Sequence, residues 1–368
     1  MMVEKRRILI MAAGTGGHVF PAMAIADRLA SKGVEIHWMG SRGGMETNFL
    51  SDSDYVLHAV TVRGLRGQGI FKVMSAPFML CKAIYEALKI FSAVKPDCVL
   101  GMGGFISGPG GIVSILLKKP LVLHEQNAVA GFTNKILAKF ACMVFESFPG
   151  TFADSKINRQ LVGNPLRRSI IDLAIKDVGL RSADQSLRFL VLGGSQGSRA
   201  INGILPSLCV EFKGSKKLLV RHQTGQIDFK KTCSAYSHAG VDLDNGIVSC
   251  TPFIEDIAEA YAWADLVLCR SGASTCSEIA ALGLPAIFVP YPFHADKQQF
   301  HNAQFLVEKG AAILVPQNEL TVNRIEKLLR SFEIDHGKLS KMRTQKANIE
   351  VLNADQLIAD YCVEIANA

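Results

Sequence analysis

At 368 residues, with 49% hydrophobic and 20% charged side chains, the chain has the composition of a soluble globular protein of two domains, and disorder is excluded. No apolar run approaches the ~20 residues a membrane-spanning helix needs, and the nine cysteines form no CxxC pair, which points to reduced, packed thiols in a cytoplasm. The net charge of +7 is unevenly placed: residues 1–164 hold 18 Lys+Arg against 11 Asp+Glu, residues 165–368 hold 22 of each, and the first half therefore calls for an anionic partner, whether nucleic acid, membrane surface or phosphorylated substrate.

The basic start runs into an apolar stretch broken by Gly14-Thr15-Gly16-Gly17-His18, so it reads as a first strand and not as a signal peptide. Strand Ile8–Ala12, a glycine loop, helix Pro21–Ser31 and strand Val34–Met39 open a doubly wound α/β domain. Pro21 suits a first helical turn. The glycines allow a ligand close to the backbone and deliver it to a helix N-terminus. Their spacing is not GxGxxG, and the second strand ends in Gly40-Ser41-Arg42 without the acid that holds an NAD ribose; Arg42 lends an NADP reading only weak support. His18 is the one titratable group in that loop. It can serve as general base, proton relay or plain hydrogen-bond donor, or merely stiffen the loop.

Residues 63–72 form a basic glycine loop, followed by an apolar helix over Val73–Phe91. Over 63–90 the charges are Arg63, Arg66, Lys72, Lys82 and Lys89 against Glu86 alone. That composition fits a surface resting on an anionic bilayer, and equally a core-facing helix with solvated lysines. Strand Asp97–Met102 leads into a glycine-dense loop, Gly101 to Gly111, and a helix from Ile112. Strand Pro120–His124 then emits His124-Glu125-Gln126-Asn127 at a carboxyl end, where open α/β sheets bind ligands. His124 and Glu125 are candidate bases, and Asn127 a hydrogen-bonding group.

A short strand and turn at Val162–Arg167 mark a domain boundary at Asn164, with Arg167 at the seam, able to meet a diphosphate. The domains are expected at 1–164 and 165–350, with a closing helix over about 351–368 crossing back to the first. Strand Leu187–Leu192, the loop Gly193-Gly194-Ser195-Gln196-Gly197-Ser198 and a helix from Arg199 repeat the opening of the first half. Asp97–Leu123 and Asp265–Val289 likewise share an Asp-x-Val-Leu strand, a glycine turn, a helix and a Pro-led strand. Two copies of one plan argue for twin Rossmann-like parallel-sheet domains facing across a cleft. In the stretch Leu266–Ala303, Ser271-Gly272 is a turn and Ser274–Leu282 a helix with Glu278 in its second turn, where a carboxylate can accept two hydrogen bonds from a ribose diol. Asp296, Gln298, Gln299 and Asn302 follow the next strand. Thr251–Asp256 starts a helix whose backbone can read a base edge. Asp52-Ser53-Asp54 and Asp242-Leu243-Asp244 match the short acidic pattern of metal-dependent sugar transferases but read as solvated turns, so no metal is expected.

Gly14-Thr15-Gly16-Gly17-His18, Gly101-Met102-Gly103-Gly104-Phe105, His124-Glu125-Gln126-Asn127, Gly193-Gly194-Ser195-Gln196-Gly197 and Arg270-Ser271-Gly272-Ala273 with Glu278 together resemble the peptidoglycan N-acetylglucosaminyltransferases of glycosyltransferase family 28. The resemblance implies a GT-B fold and an inverting transfer without metal or cofactor. N-acetylglucosamine would pass from UDP-N-acetylglucosamine to the muramoyl 4-hydroxyl of an undecaprenyl-diphosphate-linked muramoyl-pentapeptide, the step from lipid I to lipid II. It also implies peripheral attachment to the cytoplasmic face of a bacterial membrane, for which the basic, apolar stretch at about 63–90 is the expected surface, and no nucleic-acid partner. Carried onto this chain, it puts Thr15, Gly16, Gly17 and Asn127 beside the transferred sugar and acceptor diphosphate, and Arg167 and Ser195 on the donor phosphates. Ile254 would lie against uracil through its backbone. Ala273, Ser274, Thr275, Cys276, Ser277 and Glu278 would cradle phosphate and ribose, and Gln299 with Gln298 would bind sugar hydroxyls. The loop from Tyr291 to Gln299 varies in length among relatives, which leaves open which glutamine touches the sugar. His18 is the expected base and Glu125 the alternate. A UDP-N-acetylglucosamine 2-epimerase is disfavoured by the basic first domain and its apolar helix. An NADP oxidoreductase is disfavoured by the glycine spacing, and an idle sugar-nucleotide-binding subunit by the presence of both halves on one chain.

Overall fold

Runs such as Ile8–Met11 and Leu121–Leu123 are buried along their whole length, the condition of parallel strands covered by helices on both faces. The computed structural model describes the chain except residues 1–4, 15, 45, 52, 63–75, 153, 155, 177–185, 195, 213–217, 295 and 345–351. It divides into two compact units, Met1–Arg167 with Ile349–Ala368, and Arg168–Asn348. The division falls after Arg167 and not at Asn164. Arg167 falls in the first unit, with its guanidinium 3.9 Å above the Phe20 ring.

The first unit runs β1 (Arg7–Met11), α1 (Gly16–Ser31), β2 (Glu35–Ser41), α2 (Glu46–Phe49), β3 (Val56–Val60), α3 (Ala76–Val94), β4 (Cys98–Gly101), α4 (Ser107–Leu116), β5 (Leu121–Glu125), α5 (Phe132–Leu137), β6 (Met143–Glu146) and β7 (Arg159–Leu161). Its seven strands are parallel in the order β3-β2-β1-β4-β5-β6-β7, with Ile8 in register with Ile36 on one side and Cys98 on the other. One sheet face packs on α3, α4 and α5 through Ala83, Ala87, Phe91, Val113 and Leu137.

Two helices begin earlier than the sequence suggests. α1 starts at Gly16, so Pro21 lies inside it and His18 sits on its first turn, not in a loop. α4 starts at Ser107, so the expected glycine loop ends well before Gly111. A Cβ on Gly110 would strike the Met11 and Met39 side chains, and one on Gly111 would come within 2.5 Å of Leu137. Those glycines let a helix lie close on its sheet and against α5; they are not ligand contacts.

The second unit runs α6 (Arg168–Lys176), β8 (Leu187–Leu192), α7 (Arg199–Glu211), β9 (Leu218–Gln223), α8 (Phe229–His238), β10 (Val248–Thr251), α9 (Ile257–Trp263), β11 (Leu266–Cys269), α10 (Ala273–Leu282), β12 (Ala286–Phe288), α11 (Gln298–Glu308), β13 (Ala312–Leu314), α12 (Val322–Ile334) and α13 (His336–Arg343). Six parallel strands take the order β10-β9-β8-β11-β12-β13.

The repeated Asp-x-Val-Leu motif has the same task in each unit. Asp97 accepts the Arg7 N–H through its carboxylate at 2.9 Å and donates its own N–H to the Arg7 carbonyl at 2.8 Å. Asp265 does the same with Arg188, at 2.9 Å in both directions. Each aspartate clips its strand to the neighbouring one, β1 or β8, at the amino end.

The last helix, α14 (Ala354–Asn367), belongs to the first unit. Its Ile358, Ala359 and Cys362 pack with Ile8, Ile10, Ala22 and Ile25 on the sheet face opposite α3–α5. Asp355 meets Arg28 at 2.6 Å. Ile358 is fully buried, so Ile358→Ala is expected to cost about 2–5 kcal/mol of stability, read from the denaturant midpoint of the full chain.

Candidate active site

In the first unit the carboxyl ends of β1, β4 and β5 converge. His18, half-buried on the first turn of α1, places Nδ1 2.9 Å from Gln126 Oε1. Gln126 Nε2 lies 2.9 Å from His124 Nδ1, and His124 Nε2 lies 3.1 Å from the Gly163 carbonyl and 3.3 Å from Ser147 Oγ. Burial pushes the His124 imidazole down to about 4, with the Gly163 hydrogen bond opposing and the nearby His18 adding to the shift. His124 is therefore neutral and internal at neutral pH, which corrects its candidacy as a base.

Glu125, the alternate base, is likewise internal. It is 2% exposed, and Oε1 accepts from Asn127 N at 3.1 Å and Asn127 Nδ2 at 3.2 Å, while Oε2 accepts from Gly131 N at 3.0 Å and Asn134 Nδ2 at 2.9 Å. Four donors on a buried carboxylate fold the 126–131 loop around it. Asn127 is half-buried, held by the same carboxylate. Gly16 is buried beside the Phe20 ring, where a Cβ would come within 2.5 Å, and Gly17 is half-buried. Gly103 and Gly104, at φ 81° and 73°, form the turn under the His18 ring. Thr15 lies outside the described residues.

The sequence offered no role for Glu46. It is fully buried, and it accepts Ser41 Oγ at 2.7 Å and the Gly14 N–H at 3.3 Å. One acid thus holds the glycine loop to the end of β2. Its only signal was a lone carboxylate after Arg42-Gly43-Gly44, which alone says little.

In the second unit α10 follows β11 with Gly272 as its N-cap, a residue with no side chain to cap the first-turn N–H groups. Ser274, Thr275 and Ser277 are half-buried, whereas Ala273, Cys276 and Glu278 turn inward. Burial raises the Cys276 thiol well above its ordinary value, so this residue offers the cradle only its backbone. Glu278 is 5% exposed and accepts from Tyr261 Oη at 3.0 Å. Tyr261, on α9, is seventeen residues away in sequence and was not anticipated.

Ile254 lies in the irregular stretch between β10 and α9, which begins at Ile257, so the expected helical start at Thr251 is too early. Gln298 and Gln299 open α11. Gln299 Oε1 accepts the Tyr291 N–H at 2.9 Å and its carbonyl accepts Ser271 Oγ at 2.7 Å, which leaves the amide NH₂ as its donor. Arg270 pins the same loop through the Val289 and Pro290 carbonyls at 3.0 and 3.1 Å and Gln317 Oε1 at 2.6 Å. Asn302 is internal, donating to the Ser271 carbonyl at 3.3 Å. The glycine loop after β8 packs backbone on backbone: a Cβ on Gly225 would stand 2.6 Å from Gly197 Cα. Ser195 lies outside the described residues, and α7 begins beyond it at Arg199. Asp242-Leu243-Asp244 is an exposed turn in which the Asp242 carboxylate accepts the Asp244 N–H at 2.9 Å. Asp52 is outside the described residues.

Residues 8–146 match the glycosyltransferase family 28 N-terminal domain, and residues 188–358 the glycosyltransferase family 28 C-terminal domain. The chain is 43% identical over 363 residues to the UDP-N-acetylglucosamine--N-acetylmuramyl-(pentapeptide) pyrophosphoryl-undecaprenol N-acetylglucosamine transferase of Marinobacter nauticus, covering 99% of this chain and 98% of that one. The transferase of the same name from Vibrio cholerae is 42% identical over 365 residues, with 99% of each covered. Among solved structures, Acinetobacter baumannii MurG superposes with a TM-score of 0.78 at 34% identity, over 98% of this chain and 99% of that one. A putative UDP-N-acetylglucosamine 2-epimerase from Listeria monocytogenes gives 0.67 at 12% identity over 95% and 94%, a likeness of fold alone. Two parallel-sheet units in the GT-B arrangement of elements, matched end to end by such relatives, give the identity: the chain belongs to glycosyltransferase family 28.

Proposed function

We propose that this chain transfers N-acetylglucosamine from UDP-N-acetylglucosamine to the 4-hydroxyl of a muramoyl-pentapeptide carried on undecaprenyl diphosphate, converting lipid I to lipid II. The observation that carries this is 43% identity to such a transferase over 99% of the chain. The second unit is the donor side. Glu278 accepts the ribose hydroxyls, the N–H groups at the start of α10 face the diphosphate, the Ile254 backbone lies along uracil, and the Gln299 amide, with Gln298, donates to the sugar. Ser195 and, from the first unit, Arg167 are the further residues assigned to the donor phosphates. The first unit is the acceptor side, with Gly16, Gly17, Thr15 and Asn127 around the diphosphate and the reacting hydroxyl.

The acceptor oxygen attacks the anomeric carbon as the bond to the UDP oxygen breaks, with inversion. The proton passes to His18, and the electron pair of the broken bond stays on UDP. With Glu125 saturated and His124 internal, His18 is the group left among the described candidates to take the proton. The α10 N-terminus stabilises the departing diphosphate by about 0.3–1 kcal/mol if exposed and up to about 2 if partly buried. UDP release from purified protein is expected only when a lipid-linked muramoyl acceptor is supplied. Release without acceptor would instead favour epimerase or hydrolase chemistry.

The first unit also works at a membrane surface. Among the described residues no helix is long and apolar enough to cross a bilayer. Three neighbouring helices on one sheet face nevertheless expose large apolar groups: Phe78 (80% exposed), Leu80 and Tyr85 of α3, Leu116 and Leu117 at the end of α4, and Phe132 (75% exposed), Ile136 and Phe140 along and just past α5. Lys82, Lys89, Lys118, Lys135 and Lys139 stand exposed among them. Apolar anchors ringed by lysines fit an anionic bilayer at the cytoplasmic face. Only part of this surface falls in the 63–90 stretch, of which 63–75 lies outside the described residues. The protein is expected to float with anionic liposomes at low salt and to be released by high salt, and Phe132→Ser with Phe140→Ser to weaken flotation further. Flotation unchanged by salt and by both substitutions would remove this surface from the model of attachment.

A further inference from the structure

The chain of contacts from His18 to Gly163 has one consistent assignment of protons. A backbone carbonyl only accepts, so His124 Nε2, 3.1 Å from the Gly163 oxygen, carries a hydrogen, and Ser147 Oγ at 3.3 Å accepts from it as well. His124 is neutral because burial holds it down at about 4. Its Nδ1 is therefore a lone pair, and what lies 2.9 Å away must be the NH₂ of Gln126. A second contact fixes that amide orientation independently: the same NH₂ lies 3.4 Å from the His124 carbonyl, which also only accepts. The oxygen of Gln126 then faces His18 Nδ1 at 2.9 Å, and His18 Nδ1 must be the donor.

We propose that Gln126, oriented by His124 and the Gly163 carbonyl, is a positioning residue that holds His18 as the Nδ1–H tautomer and leaves Nε2 as the basic nitrogen. The proposal rests on the reading of His18 as the base. Two glycines border the ring's other flank: a Cβ on Gly104 would stand 3.9 Å from Nε2 and 3.8 Å from Cδ2, and one on Gly103 3.6 Å from Cε1. A substrate hydroxyl therefore meets Nε2 over bare backbone. When it gives up its proton, His18 becomes an imidazolium whose Nδ1–H still donates to Gln126. No proton moves along the chain, because an amide oxygen and a neutral amide NH₂ cannot pass one on. The chain sets a tautomer and is not a relay. An amide also does this without adding a negative charge, unlike the carboxylate that orients histidine in serine hydrolases.

The test is ¹⁵N imidazole NMR of the full-length protein labelled at histidine, recorded over a pH series, with the His18 resonances assigned by their loss in His18→Asn and the neutral ring read for its tautomer. The expected spectrum has a protonated Nδ1 and an unprotonated Nε2. Gln126→Met, similar in length and without hydrogen-bonding groups, should shift His18 toward the Nε2–H tautomer. It should lower kcat about ten- to a hundredfold, a share of what a general base contributes, with the donor KM little changed. Gln126→Glu retains an oxygen toward His18 and should keep the Nδ1–H tautomer and recover part of kcat. A wild-type His18 protonated at Nε2 overturns the proposal whatever the variants do. So does a Gln126→Met enzyme that keeps either the tautomer or full kcat. Should His18→Ala retain turnover, the base reading fails separately, while the wild-type spectrum still decides the tautomer.

Discussion

His18→Ala is expected to lower kcat by about 10²–10⁴-fold, the range for loss of a general base, and to leave the KM for UDP-N-acetylglucosamine near that of the wild type. The split follows from where the groups sit. His18 is on the first turn of α1 in the first unit, and the residues assigned to ribose, phosphate and sugar are mostly in the second. Removing a group that acts on the reacting proton subtracts from the transition state and not from donor binding. Glu125→Gln is the matched control. It replaces one oxygen of a buried, four-fold hydrogen-bonded carboxylate with an NH₂ that faces donors, so its expected effect is a lower unfolding temperature and a looser Asn127 loop. Its kcat should stay well above that of His18→Ala. If kcat collapsed in Glu125→Gln and survived in His18→Ala, the two roles would be exchanged.

Local pattern carried much of this into the sequence. The strand, glycine loop and helix at 8–31 and 187–211, and the repeat of Asp97–Leu123 in Asp265–Val289, were legible because periodicity and turn chemistry act over a few residues. The two aspartates of that repeat prove to be strand clips, a role invisible until the partner strands are adjacent. The glycines at 110 and 111 misled because sequence cannot tell a glycine needed for a ligand from one needed against Met11 or Leu137. Glu125 looked like a base for a similar reason: the acid was visible, but the Asn134 amide that occupies it was not. Tyr261 and Glu46 act through contacts that folding alone creates. The exposed apolar face was only half legible, since it joins α3 to residues 116–140 and no single window contains both.

Glu278→Ala should raise the donor KM about a hundredfold, with a much smaller fall in kcat. A carboxylate accepting two hydroxyls makes charge-assisted bonds worth about 1.5–3 kcal/mol each, and water replaces part of that loss in the variant. Tyr261 sharpens the expectation. Its hydroxyl donates to Oε2 at 3.0 Å in a site where Glu278 is 5% exposed, so it fixes which way the carboxylate turns. Tyr261→Phe should therefore raise the donor KM as well, by less than tenfold, since the carboxylate stays and only its orientation loosens. A donor analogue lacking the ribose 2′-hydroxyl supplies the second arm of a cycle. Wild-type enzyme should bind it more weakly than the natural donor, and Glu278→Ala should lose most of that preference, because the group that reads the hydroxyl is gone. Were Glu278→Ala to discriminate as sharply as the wild type, its carboxylate would be a structural partner of Tyr261 and the ribose would have to be read elsewhere.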